Sequence, residues 1–320
     1  MRDGYLLFLI QAKLLQMEKQ HVPIIKQGWL RVILYVVVLM GVLFGYGIIA
    51  SAISINALTG ESVGLANSLT QIIVTYFILS VTIVLVTWLF KKFIDRGTFK
   101  ELGFEWKGFE MDGLVGLLTG PVLLGIGTII LAIAGYLTFI NFTFNGSALL
   151  VEILFMLLVA FTEEILFRGY ILNNLLRSTN KWVALIITSV LFALFHSTNP
   201  GVSVLAVVNI FVAGFLLGIN YIYTKNLWFA VLFHFSWNFF QGPVFGYEVS
   251  GLDMQSILEQ SLSGPEILTG GEFGFEQSLL CPALTGFAAI VYGFVFYKKY
   301  ESSRNNLITA EVDGIGNTKN

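Results

Sequence analysis

The amino-acid sequence predicts an all-α membrane protein with about eight transmembrane helices and both termini in the cytoplasm. The prediction depends on the composition, the length of the apolar runs and the positions of Lys and Arg between them. Hydrophobic residues make up 56% of the chain and charged residues 12%, whereas soluble domains contain about 25% charged residues. A water-soluble fold cannot bury that much apolar surface, so lipid is the expected solvent.

The apolar runs have the length that a membrane requires. About 20 helical residues cross the roughly 30 Å of hydrocarbon in a bilayer. The runs lie at Val32–Ile55, Leu69–Phe90, Gly113–Phe139, Leu149–Leu172, Val183–Phe195, Val204–Tyr223, Leu227–Phe240 and Leu279–Tyr297. The fifth and seventh runs are short, and each can be extended only through polar residues that would then need a buried role.

The basic residues lie on alternate connections, as expected when the Lys- and Arg-rich loops stay in the cytoplasm. They precede the first run and follow the second, fourth, sixth and eighth, at Lys26, Arg31, Lys91, Lys92, Arg96, Lys100, Lys107, Arg177, Lys181, Lys225, Lys298, Lys299 and Arg304. The intervening connections contain no Lys or Arg. A multi-pass protein of the cell membrane is therefore predicted, or of the endoplasmic reticulum membrane in a eukaryote.

The chain divides into a membrane bundle at residues 31–299 and two polar ends. Residues 1–30 are predicted to form a juxtamembrane segment with an interfacial helix, and residues 300–320 a polar cytoplasmic tail. The acidic segment 241–278 contains Pro and Gly residues that interrupt helices, and it is predicted to be an external loop with one short helix. We assign no chemistry to this loop. A net charge of −2 gives no indication of a nucleic-acid partner.

Polar and ionisable side chains occur inside three of the apolar runs. A charge near the centre of a bilayer costs about 2.5–3.5 kcal/mol on insertion scales, so such residues need partners or a function. They are concentrated at Phe161–Tyr170 in the fourth run, Phe192–His196 in the fifth and His234–Asn238 in the seventh. The sequence thus predicts a polar site between the helices.

Helical spacing predicts how these side chains are arranged. Glu164 and Arg168 are four residues apart and can pair on one helical face, whereas Glu163 points about 100° away. His234 and Asn238 are also four apart, so both can face one cavity. These spacings leave Glu163 free to face a different neighbour from Glu164.

The depth of the residues in the membrane agrees with a common site. If the fourth and fifth helices form a hairpin that turns near Thr179, Glu163 lies 16 residues before the turn and His196 lies 17 after it. At about 1.5 Å per residue, the two side chains reach the same level. His234 follows Lys225 by nine residues, so it should enter the membrane from the same face.

Three motifs in this order resemble the CAAX-protease and bacteriocin-processing family of membrane peptidases, also called the Abi family. The motifs are Glu163-Glu164-Ile165-Leu166-Phe167-Arg168, Phe192-Ala193-Leu194-Phe195-His196 and His234-Phe235-Ser236-Trp237-Asn238. The similarity covers residues 147–242, and the flanking helices match only in hydropathy.

The resemblance implies an eight-helix fold with a cavity open to the cytosol, where a glutamate and a histidine activate water to hydrolyse a peptide bond. Glu163 would be the general base and His196 would help to position the water. His234 and Asn238 would stabilise the oxyanion, and Glu164 with Arg168 would hold the geometry. The expected partner is a peptide or protein substrate, lipidated or not, within the lipid bilayer.

Other interpretations remain open. Glu163, His196 and His234 also form a two-histidine, one-carboxylate set that could bind zinc, although the His-Glu-x-x-His signature is missing; no other cofactor is expected. A proton-coupled transporter would also place Glu and His in the membrane, but the sequence has no inverted repeat. A non-catalytic, immunity-type member of the family is a third interpretation.

Three further buried polar residues, Glu152, Asn209 and Asn220, are interpreted as interhelical hydrogen-bond residues. Gly214 and Gly218 have the small-xxx-small spacing that is typical of closely packed membrane helices.

Overall fold

The protein is mostly helical, with a two-stranded antiparallel sheet at one end. The computed structural model describes residues 22–59 and 68–302, so the predicted interfacial helix and most of the predicted tail lie outside the described residues. The long helices are α1 (Gly28–Thr59), α2 (Ser68–Leu89), α3 (Glu110–Ile133), α4 (Gly146–Glu164), α5 (Lys181–Phe195), α6 (Val204–Ile219), α7 (Trp228–Phe239) and α8 (Leu280–Phe296). Several continue as π-helical turns, at Phe90–Ile94, Ile165–Leu172, Phe240–Val244 and Tyr297–Ser302.

Five helical segments of the described chain are long and apolar enough to cross a membrane. They are Gly28–Gly47, Ile73–Ile94, Glu110–Ile133, Val204–Thr224 and Leu280–Ser302. The remaining helices differ for physical reasons: α4 carries three glutamates, and α5 and α7 have only 15 and 12 residues. The structure therefore confirms a helical, multi-pass membrane protein, and the count of about eight spans stays a prediction.

Glycines bring α3 and α7 into close contact. A Cβ atom added at Gly116 would collide with the carbonyl oxygen of Phe229, and one added at Gly120 would lie 2.6 Å from the backbone nitrogen of Trp237. Because only glycine permits this approach, α3 fixes the position of α7 and of the polar residues on α7.

Helices α5 and α6 also pack through glycine, as the spacing of Gly214 and Gly218 predicts. A Cβ atom at Gly214 would lie 3.3 Å from the Cα atom of Ser189. One at Gly218 would collide with the side chain of Leu185. The close approach leaves the carbonyl oxygen of Gly214 within reach of α4.

The two-stranded sheet changes one predicted boundary and adds structure to the acidic segment. Helix α3 ends at Ile133, six residues before the predicted end of the third run, and Gly135 turns the chain with φ +75°. Strand β1 (Leu137–Phe142) then pairs antiparallel with β2 (Leu258–Leu262), with Leu137 opposite Leu262. The acidic segment 241–278 is thus an ordered connection that contains a strand and the helix Glu266–Thr269.

Charged residues are paired at one end of the bundle, which we call the basic end. Here α1, α3, α5 and α7 begin, and α2, α6, α8 and the π-helical continuation of α4 end. Asp95 forms an ion pair with Arg31, with Oδ1 at 3.0 Å from Nη1, and its Oδ2 atom lies 3.7 Å from Nζ of Lys91. Lys181 pairs with Glu301, and Lys299 with Asp112. The two-stranded sheet and the segment between α7 and α8 lie at the opposite end, which we call the loop end.

Candidate active site

The two adjacent glutamates of α4 lie where the helix changes from α to π geometry. Glu164 is fully buried and Glu163 is 8% exposed, and the π-helical turns begin at Ile165. π-Helical turns are frequent at functional sites because they displace side chains from the regular helical positions. As the spacing predicts, only Glu164 pairs with Arg168, while His234 lies near both carboxylates.

Glu163 faces the two histidines. Its Oε2 atom lies 3.6 Å from Nε2 of His196, at the end of α5, and 3.9 Å from Nε2 of His234 on α7. Three separate helices therefore bring one carboxylate and two imidazoles together, as the depth comparison predicts. These separations exceed a direct hydrogen bond and suit groups that share a water molecule.

Glu164 links Arg168 to His234. Its Oε1 atom accepts a hydrogen bond of 2.8 Å from Nη1 of Arg168 and one of 2.9 Å from Nδ1 of His234. Nη2 of Arg168 donates to the carbonyl oxygen of Gly214 at 2.8 Å. The ion pair was expected from the spacing, but the contact with His234 was not, because residues 164 and 234 lie on different helices.

The hydrogen bonds at Nδ1 set the tautomers of both histidines. Nδ1 of His196 lies 2.8 Å from the carbonyl oxygen of Phe192 and must donate to it, and Nδ1 of His234 donates to the Glu164 carboxylate. In the neutral rings, Nε2 is then the unprotonated nitrogen. Both Nε2 atoms therefore direct a lone pair toward the region around Glu163.

The site surrounds a cavity of about 80 Å³, which has room for several water molecules since one needs roughly 10–15 Å³. Glu163, His196, His234 and Asn238 line it, whereas Glu164 and Arg168 lie behind it. The other walls are apolar and largely aromatic: Tyr76, Phe155, Phe192, Phe195, Phe233 and Trp237.

The segment between α7 and α8 closes the cavity at the loop end. Val249, Ser250, Leu252 and Glu276 line it, and Glu276 accepts hydrogen bonds from Nε1 of Trp237 at 3.2 Å and Oγ of Ser250 at 2.6 Å. Sequence reasoning assigned no chemistry to this segment, because nothing in its acidic, Gly-containing pattern shows that it folds back over α7.

Residues 245–279, between the π-helical end of α7 and the start of α8, cover the cavity, and we call them the roof. The roof carries further acidic residues. Burial, together with repulsion from Asp253 and Glu272, raises the pKa of Glu248 above its usual value. The acidic residues of the roof therefore lie close enough to affect one another, and the surface around the cavity favours cationic over anionic groups.

Connections at the loop end line the cavity. Of the residues that line it, those on connections are Asn199, Val249, Ser250, Leu252 and Glu276, and all belong to loop-end connections. The cytosolic opening that the resemblance implies stays a prediction.

The possible zinc site stays a prediction. The candidate ligands Glu163, His196 and His234 lie near one another, but the described part of the chain contains no group of three His, Cys, Asp or Glu side chains placed to hold a metal ion. We therefore derive no catalytic step through a metal.

Residues 145–240 match a protein-family model described as Rce1-like, type II CAAX prenyl endopeptidase. The resemblance to the CAAX-protease family is confirmed. The Rce1-like segment runs from the residue before α4 to the end of α7 and contains all six of the predicted site residues. No curated protein and no solved structure gives a significant match.

Proposed function

We propose that the chain is an intramembrane endopeptidase in which Glu163 and His196 activate water to hydrolyse a peptide bond. The observation that carries the proposal is the position of Oε2 of Glu163, within 3.9 Å of Nε2 of both His196 and His234 beside a buried cavity. An Rce1-like segment that contains all three residues supports the same reaction class.

In this mechanism, Glu163 takes a proton from water while Nε2 of His196 accepts the second hydrogen bond and orients the water. The hydroxide attacks the peptide carbonyl carbon and forms a tetrahedral intermediate. Protonated Glu163 then donates to the leaving nitrogen and the C–N bond breaks. The products are a carboxylic acid and an amine, and a proton passes from the acid to the amine to give a carboxylate and an ammonium. A positioned general base of this kind contributes about 10²–10⁴-fold to the rate.

Asn238 and His234 stabilise the oxyanion of the intermediate. The Asn238 amide is a donor that is already directed to the same cavity. Neutral His234 presents a lone pair at Nε2 because Nδ1 donates to Glu164. It therefore acts as a donor only when protonated, and Glu164 is the anion that stabilises that charged ring, as a carboxylate does for a catalytic histidine in a triad. Donors fixed in a low dielectric stabilise an oxyanion strongly.

The substrate class follows from the walls of the cavity and from the description of the family. Aromatic side chains surround the polar site, so the residues next to the cleaved bond should be apolar. The family description names a prenyl endopeptidase, so a prenylated peptide or protein is included in the proposal, as is an unmodified hydrophobic segment.

Comparison of the wild type with Glu163→Gln tests the proposal. Membranes that contain the wild type should generate new protein termini, and the variant should reduce their number at least 100-fold because the general base is lost. Glu259→Gln is the matched control, since Glu259 is exposed on β2. Identical profiles from folded wild type and Glu163→Gln would indicate a non-catalytic member, and Glu163-dependent proton flux in liposomes would indicate a transporter.

Chelation tests the zinc alternative. Because the proposed mechanism uses only side chains and water, a strong chelator should leave the hydrolysis rate unchanged, and purified protein should contain far less than one zinc ion per chain. Loss of activity that added zinc restores would show that Glu163, His196 and His234 act as metal ligands.

A further inference from the structure

A second cavity, of about 290 Å³, lies next to the active-site cavity. It is lined by Ile73 of α2, Asn145 and Ser147 at the start of α4, Met254 and Gln255 of the roof, and Glu152. Phe155 lines both cavities, so they are neighbours along α4. The second cavity lies closer to the loop end, where α4 begins.

Glu152 is the unusual group of this cavity. It is 4% exposed, and the backbone N–H of Gln255 donates to its carboxylate. Its Oε1 atom has no hydrogen-bond partner, and none of the described Lys, Arg and His side chains forms an ion pair with it. A buried carboxylate that lacks a cation is costly, so a cationic ligand in this cavity would stabilise Glu152.

The two asparagines that sequence reasoning placed in the same class differ from Glu152. Nδ2 of Asn209 donates to the carbonyl oxygens of Glu276 and Ser278 at 2.7 and 2.8 Å. Nδ2 of Asn220 donates to Asp112 at 2.9 Å. Asn220 thus bonds between helices, as predicted, and Asn209 bonds a connection. Oδ1 of Asn209 and Oε1 of Glu152 both lack a described partner, but the asparagine amide is neutral, whereas the glutamate is a carboxylate.

The spacing along α4 relates Glu152 to the cleaved bond. Glu152, Met156, Val159 and Glu163 follow one another at steps of four, three and four residues and so lie on one helical face. Met156 and Val159 line the active-site cavity between the two glutamates. Eleven residues of helix rise about 16 Å, a distance that an extended peptide spans with about five residues at roughly 3.3 Å each.

We propose that Glu152 binds a cationic group of the substrate, a Lys or Arg side chain or a free amino terminus, about five residues from the bond that is cleaved. The inference rests on the proposed function and narrows its substrate class to peptides that are apolar around the cleaved bond and basic a short distance away. The negative roof at the loop end favours the approach of such a peptide.

A series of apolar peptides tests the proposal. Each peptide carries one Lys, and its position shifts by one residue from one peptide to the next. The purified full chain in detergent micelles is the enzyme. A parallel set carries norleucine in place of Lys. Wild type should cleave the peptide with Lys about five residues from the bond about tenfold faster, in kcat/KM, than its norleucine counterpart, as expected for one charge-assisted hydrogen bond. Glu152→Gln should remove this preference, and Glu259→Gln should retain it.

A binding measurement separates failure of this inference from failure of the proposed function. In the Glu163→Gln background, which does not hydrolyse the peptide under the proposed mechanism, the Lys peptide should bind about tenfold more tightly than the norleucine peptide, and adding Glu152→Gln should equalise them. Glu152→Asp, which keeps the charge, should keep part of the preference and provides a second variant if the amide destabilises the fold. If the Glu163→Gln variant binds the Lys and norleucine peptides equally, the inference about Glu152 is wrong. If this variant prefers the Lys peptide but the wild type cleaves neither peptide, the cation site is supported and hydrolysis is rejected.

Discussion

Glu164 shows how one buried side chain organises the site. It is fully buried, it pairs with Arg168 at 2.8 Å, and it holds Nδ1 of His234 at 2.9 Å. Removing one partner of a buried ion pair leaves the other charge uncompensated, at a cost of about 3–5 kcal/mol, whereas replacing both by apolar groups can be nearly neutral. The Glu164 carboxylate therefore has two separable effects. It stabilises the folded protein by pairing with Arg168, and it orients the His234 ring.

This separation can be measured at the residue scale. Glu164→Leu should lower the free energy of unfolding by about 3–5 kcal/mol because Arg168 is left without its anion. Glu164→Leu combined with Arg168→Met should recover much of that loss, yet peptide hydrolysis should stay low because His234 lacks its acceptor. Denaturant unfolding in micelles and a peptide-cleavage assay give the two readouts. A double variant as unstable as the single one would contradict the ion-pair explanation.

At the scale of elements, the geometry of the site depends on how closely α3 packs against α7. Gly116 and Gly120 of α3 contact the backbone of α7 at Phe229 and Trp237. His234 and Asn238 belong to that part of α7, so a shift of the helix would move them relative to Glu163 on α4. A displacement of about 1 Å can cost 100-fold in rate.

Gly120→Ala should therefore reduce both activity and thermal stability, since its Cβ atom would lie 2.6 Å from the backbone nitrogen of Trp237 and backbone cannot move aside cheaply. Gly125→Ala on the same helix is the matched control, because its Cβ atom has no heavy atom within 4 Å. The control should be as stable as the wild type or more stable, since alanine favours a helix by up to about 1 kcal/mol relative to glycine. Equal effects of the two substitutions would exclude helix separation as the cause.

At the scale of the whole molecule, the bundle has a basic end and a loop end, and connections of the loop end line part of the active-site cavity. The Lys and Arg distribution predicts that the basic end is cytoplasmic. The connections that line the cavity would then lie on the other side of the membrane. The two ends can be told apart chemically because the buried Cys281 is the only cysteine of the chain.

In a Cys281→Ala background, intact cells treated with a membrane-impermeant maleimide should label Asp253→Cys and should not label Lys100→Cys. Asp253 is exposed at the loop end and Lys100 at the basic end. The reverse labelling would place the roof in the cytosol and would agree with the cytosolic opening that the resemblance implies. Labelling after permeabilisation provides the control for reactivity of both cysteines.

The sequence alone determined the membrane environment, the three polar segments and the membership of Glu163, His196 and His234 in one site. These features follow from local rules: the length of apolar runs, the rise per helical residue and the four-residue spacing of Glu164 with Arg168. Only the tertiary structure decided which groups meet across helices. Glu164 holds His234 although 70 residues separate them, and Glu276 accepts from Trp237 over 39 residues, because these contacts depend on helix packing and on a roof that folds back over α7. The helical repeat does not predict such contacts, because spacing along the chain shows only which residues of one helix lie on the same face.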